Sequence, residues 1–170
     1  KCMRRIYKSN NDYDSVDLSL IGPSYLQRCM YTIGCDLTDY FSSIPEAKNG
    51  RKYTDYYRLC VRKMLNQNGE RTLIGAIIPP KVGHINGLLG FAFEDNNMLS
   101  LTSALFASLP YDFFIKVMGR SNFYGETANQ LPLIQGVYAG LMINRTLLLN
   151  CLTQKYQALW NGVQKTDNDS

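Results

Sequence analysis

The sequence predicts an α+β domain, a small mixed β-sheet built on a hairpin and supported by two long helices. Three observations predict it. Tyr57-Arg58-Leu59-Cys60-Val61-Arg62 alternates apolar and polar residues with the period of a strand. Glu70 to Pro80 encloses an apolar strand core that an arginine opens and two prolines close. Downstream, Met98, Leu101, Leu105 and Leu109 recur at helical spacing, and Leu141, Leu148, Leu152, Tyr156 and Leu159 do so again near the end.

At 170 residues the chain suits one domain with a real core. It opens at Lys1 within polar sequence, so a segment of a longer protein is expected. Residues 1–50 are rich in turn signals such as Ser9-Asn10-Asn11-Asp12, Gly22-Pro23-Ser24 and Asn49-Gly50, and predict an irregular N-terminal part. A helical turn is expected over Leu37 to Phe41, with Asp36 placed to cap it. Residues 51–165 form the expected core, and residues 166–170 a mobile tail.

Within that core, Asn68-Gly69 is the turn signal joining the two strands into a hairpin. Tyr57, Leu59 and Val61 then share the buried face, and Arg58 and Arg62 the other. A loop rich in glycine, Gly83 to Gly90, leads to a further strand through Phe93, and implies close backbone approach to a neighbour or a ligand. Asn96 or Asn97 caps the first long helix, and Pro110 interrupts it before a second segment, Tyr111 to Met118. The second long element is expected from Val137 to Trp160.

Composition narrows the function. No apolar run approaches the roughly 18 residues that span a bilayer, and the amino end lacks the apolar core of a secretion signal, so no membrane partner and a cytoplasmic location are expected. Cys2, Cys29, Cys35, Cys60 and Cys151 are odd in number, scattered and never spaced as C-x-x-C, the pattern of reduced thiols and not of a zinc site. The net charge of +4 is mild but uneven. Lys48 to Lys81 holds eight basic residues against Asp55 and Glu70, whereas Val82 to Ile115 holds no lysine or arginine. A basic block beside an apolar one reads as a binding rim on a packed scaffold.

The candidate contacts follow from that block. Arg58, Arg62 and Arg71 lie on or beside the hairpin, and Lys81, His84 and Asn86 on the glycine loop. Lys116, Arg120, Ser121 and Asn122 lie around Gly119. Planar guanidinium and amide groups of this kind meet phosphates and base edges. A solvated outer sheet face or a plain surface turn would carry the same residues. Asp39 with Glu46-Ala47-Lys48 resembles a nuclease metal site only superficially, because Ser42, Ser43 and Pro45 make the interval a loop. No G-x-G-x-x-G, P-loop or H-E-x-x-H occurs.

Several segments in order resemble one family. They are Thr54-Asp55-Tyr56-Tyr57-Arg58-Leu59, Glu70 to Pro80, Ser108-Leu109-Pro110-Tyr111-Asp112-Phe113-Phe114-Ile115-Lys116, Gly119-Arg120-Ser121-Asn122, Gln130-Leu131-Pro132-Leu133 and Leu149-Asn150-Cys151-Leu152-Thr153. The series resembles the C-terminal target-recognition region of adenine-specific DNA methyltransferases from bacterial restriction-modification or phage-defence systems. Tyr13-Asp14-Ser15-Val16-Asp17-Leu18 is similar to the start of such a region.

The resemblance implies double-stranded DNA as partner and a catalytic methyltransferase domain in the same parent chain. It implies S-adenosylmethionine as the methyl donor of that parent, with no cofactor in this segment. The Asn/Asp-Pro-Pro-Tyr/Phe motif and the glycine-bearing donor motif are absent, and Pro79-Pro80, preceded by Ile78 and followed by Lys81, is no substitute. Two rival readings remain. One is an interaction module that docks through a helix around Leu101 to Phe114, with Leu105, Phe106 and Phe113 as anchors. The other is an enzyme using His84 with a nearby cysteine or aspartate.

Overall fold

The computed structural model describes residues 3–5, 9, 15–25, 31–47 and 49–167. Cys2, Cys29, Lys48, the expected turn at residues 10–12, Tyr13, Asp14 and residues 168–170 of the expected tail lie outside these. The fold class is α+β, and the chain forms two compact units, Lys1–Tyr53 and Thr54–Ser170.

In the first unit, strand β1 (Met3–Arg5) pairs antiparallel with β2 (Tyr31–Ile33). Asp17 caps a 3-10 turn at Leu18–Leu20, its carboxylate accepting from Ser19 N at 2.9 Å. Helix α1 (Leu37–Ser42) begins after Asp36, whose backbone carbonyl, not its side chain, accepts the first helical bond. The hydroxyls of Ser42 and Ser43 donate back to Asp39 O and Tyr40 O and close the helix before Pro45. Glu46 pairs with Lys52 at 2.9 Å.

The second unit carries a three-stranded antiparallel sheet of β3 (Arg58–Arg62), β4 (Gly75–Ile78) and β5 (Leu88–Ala92), with β3 in the centre. The expected hairpin partners are adjacent, Arg58 opposite Ile78 and Val61 opposite Gly75. Yet β4 starts at Gly75 and not at Glu70. Thr72 and Leu73 are fully buried and give their N–H groups to the Asp112 carboxylate, at 2.8 and 2.6 Å, instead of to a strand.

Leu59, Val61 and Ile77 face the core as the alternation requires. The opposite face is not open. The segment from Pro79 to Gly87 crosses it, so Arg58 is only 4% exposed and its guanidinium donates to Val82 O. Gly90, opposite Cys60, makes room for the His84 ring: a Cβ there would sit 2.8 Å from Nε2. At Gly90 the expected close approach is therefore to a neighbouring element, the loop residue His84.

Helix α2 (Asn96–Ala107) is buried on almost every side and packs against β3 and β4. Its cap is Asp95, which accepts from Asn97 N at 2.9 Å, one residue before the expected position. Ser108 ends α2 and starts α3 (Leu109–Val117), with Pro110 in the first turn where a missing N–H costs nothing. The axis turns by 63° at this break, which leaves Leu109 exposed. Phe91, Phe106 and Phe123 meet edge-to-face at 5.8–6.3 Å in the core.

The expected single element over Val137 to Trp160 is three pieces. They are α5 (Ala139–Asn150), a 3-10 turn at Gln154–Tyr156, and α6 (Gln157–Asp167), which passes through the start of the expected tail. Ile143, Leu147, Cys151, Leu159 and Val163 are buried, whereas Leu141, Leu148 and Leu152 of the expected stripe are exposed. Helix α5 is apolar on two faces, so spacing alone did not select the buried one. Tyr156 locks the break to the sheet by donating to Ile77 O at 2.8 Å. Among the described residues no single helix is long and apolar enough to cross a membrane.

Candidate nucleic-acid interface

Beyond Arg62 the chain leaves the sheet and finds a new partner. Lys63 N donates to Gly87 O at 2.9 Å, while Phe123 N donates to Lys63 O at 2.7 Å and Leu65 N to Ser121 O at 2.9 Å. Met64 and Asn122 form an isolated bridge between the two segments. Gly119 makes the preceding turn possible by taking the left-handed conformation, φ 63°, just after α3. Phe123, fully buried, pins the loop to the core.

These bonds gather Arg62, Lys63, Asn86, Arg120, Ser121, Asn122 and Tyr124 at one end of β3. The Lys63 ammonium donates to Asn86 Oδ1 at 3.1 Å and lies 5.1 Å from the centre of the Tyr124 ring. Gln67 Nε2 donates to Arg120 O at 2.7 Å, which ties the loop to the connection after β3. Arg62, Arg120 and Ser121 are exposed. Glu126, on helix α4 (Gly125–Ala128), is the acidic residue nearest in sequence to this rim.

Arg58, Arg71 and Lys116 are used inside the fold. Arg58 was expected as a DNA contact on the face opposite Leu59 and Val61, but the crossing segment buries it. Arg71 donates from Nη2 to Ala107 O at 2.7 Å and pairs through Nε with Asp112 at 3.5 Å. Lys116 donates to Gly69 O at 2.8 Å and Glu70 O at 3.2 Å, stapling the turn after β3. Lys81, at the opposite end of β3, takes a left-handed φ of 66° and pairs with Asp55 at 2.5 Å. Five residues of strand separate the two ends by roughly 13 Å.

His84 and Cys60 both approach the position that a Gly90 Cβ would take, at 2.8 and 3.6 Å. Burial pushes the Cys60 thiol up to about 11, against a small opposing pull from Arg58. An activated nucleophile needs the reverse shift, so this pairing does not make a reactive thiolate. Burial likewise raises Cys151 to about 12.

A cavity of about 230 Å³ lies between β5, α2 and α3, lined by Phe91, Phe93, Leu105, Phe106, Tyr111 and Leu131 among others. Its lining holds no carboxylate for ribose hydroxyls and no charged group for a methionine moiety, so it does not fit S-adenosylmethionine. Lys63 and Tyr124 escaped the sequence reading. Lys63 was visible in the basic block, whereas nothing local in the sequence links Tyr124 to it. No protein-family model, curated protein or solved structure matches the chain.

Proposed function

We propose that this chain is the sequence-reading module of a bacterial adenine-specific DNA methyltransferase of a restriction-modification or phage-defence system, and is not itself catalytic. The supporting observation is the rim at the end of β3. There the pairing of residues 63–65 with residues 121–123 sets exposed Arg62 and Arg120 beside Asn86, Ser121 and Asn122. Guanidiniums hold phosphates and fix register, while amides and hydroxyls reach base edges. Methyl transfer from S-adenosylmethionine belongs, in this reading, to a catalytic domain elsewhere in the parent chain, and DNA as partner makes the location cytoplasmic.

The test is selection from a randomised duplex library, with bound fractions sequenced across a salt series. Enrichment of a short motif, with affinity falling as salt rises, is the expected result. Binding that is absent at low salt would contradict the reading.

A second reading has its own observation. Leu109, Phe113 and Val117 recur every fourth residue along α3 and are 71%, 69% and 68% exposed. This stripe suits docking on another domain or subunit of a phage-defence complex. Leu105 and Phe106, expected as anchors of that surface, are each 5% exposed and belong to the core instead. In this reading Phe113→Asp lowers self-association in sedimentation experiments, and an unchanged monomeric profile in both proteins counts against it.

A further inference from the structure

We infer that Tyr124 is a stacking platform for a single base displaced from the duplex, an inference that rests on the DNA reading above. Tyr124 is 48% exposed although the residue before it, Phe123, is fully buried and bonded to the backbone of Lys63. The ring therefore stands on a fixed stretch of main chain. Lys63 lies over it at 5.1 Å, and its ammonium also donates to Asn86 at 3.1 Å, so a cation stands beside the ring before any ligand arrives.

With 48% of its surface exposed, Tyr124 is reachable from solvent. Met64, 63% exposed, bridges to Asn122 in the same rim. An exposed aromatic interleaved with cations is the arrangement that binds unstacked bases, the cations following the backbone and the ring accepting a π-face without regard to sequence. Bases inside an intact duplex cannot present that face, so the ligand is a nucleotide already lifted out.

The experiment compares the full chain on a labelled duplex and on the same duplex carrying one unpaired adenine, by fluorescence anisotropy. The wild type is expected to bind the bulged duplex about tenfold more tightly. Tyr124→Leu, which keeps apolar bulk without a π-face, brings the ratio of the two affinities to about one, and Tyr124→Phe retains it. Thermal melting of both variants establishes that they are folded. Equal affinity of the wild type for both duplexes, or a ratio that survives in folded Tyr124→Leu, overturns the platform and leaves the DNA reading standing. Failure to bind either duplex removes the DNA reading and the platform with it.

Discussion

Arg71 and Asp112 meet at 3.5 Å, and their contact joins the connection after β3 to helix α3. The same carboxylate oxygen accepts the backbone N–H groups of Thr72 and Leu73, and Arg71 also holds the last carbonyl of α2 at Ala107. Arg71, which the sequence suggests as a DNA contact, is a fastening between a loop and two helices. Asp112→Ala leaves two buried donors without an acceptor, each costing about 1–3 kcal/mol, so a loss of about 3 kcal/mol is expected in urea denaturation. Arg71→Ala is expected to cost less, about 1 kcal/mol, because its side chain is one-third exposed. An Asp112→Ala variant as stable as the wild type contradicts this assignment.

The His84 ring fills the space that Gly90 leaves. Gly90→Ala forces it aside and is expected to destabilise by about 1–2 kcal/mol, the usual cost of overpacking. In the His84→Ala background the same substitution is expected to be close to neutral, so a double-mutant cycle reads the contact directly. Additive effects would show that the two residues do not share that space.

Stability is expected to fall in alkaline solution. Burial lifts Cys60 to about 11 and Cys151 to about 12, from the usual thiol value of 9.0. Burial, with added repulsion from Cys151, Tyr57 and Cys60, lifts Tyr156 to about 12 from 10.0. The unfolded chain releases these protons first, so it binds fewer protons than the native state and stability falls as pH rises. The stabilisation is complete below about pH 9 and is lost toward pH 11–12. Urea midpoints measured from pH 7 upward check this, and a midpoint constant to pH 11 contradicts it.

Thiol chemistry gives an independent reading of the same burial. Cys60 and Cys151 are each 4% exposed, whereas Cys35 is only half-buried. In native protein Cys60 and Cys151 are expected to resist a disulfide-exchange reagent until unfolding, and Cys35 to react sooner. Cysteine-specific mass spectrometry distinguishes the sites. Rapid native labelling of Cys60 contradicts the crossing of the sheet by the segment after Pro80.

Local signals carried the fold class, the central strand, the break at Pro110 and the buried pair Leu101 and Leu105. What they did not carry is long-range. Alternation showed that Arg58 and Cys60 point away from Leu59 and Val61, but not that residues 79–87 return to cover them. Lysine and arginine in a basic block look alike in sequence, although Lys116 and Arg71 find carbonyls 47 and 36 residues away. The rim depends on a bridge between Met64 and Asn122, a pairing that no periodicity announces. Helix α5 misled for another reason: it is apolar on two faces, and only the tertiary fold chooses between them.

The most direct test of the DNA-recognition account measures affinity for duplex DNA against salt for the wild type, Arg71→Ala and an Arg62→Ala/Arg120→Ala double variant. Each phosphate contact contributes a slope of about 0.9 in log affinity against log salt. The double variant is expected to lose about two units of slope while melting as the wild type does, and Arg71→Ala to keep the full slope despite its lower stability. A double variant with the wild-type slope, or a wild type that does not bind duplex at low salt, contradicts the account.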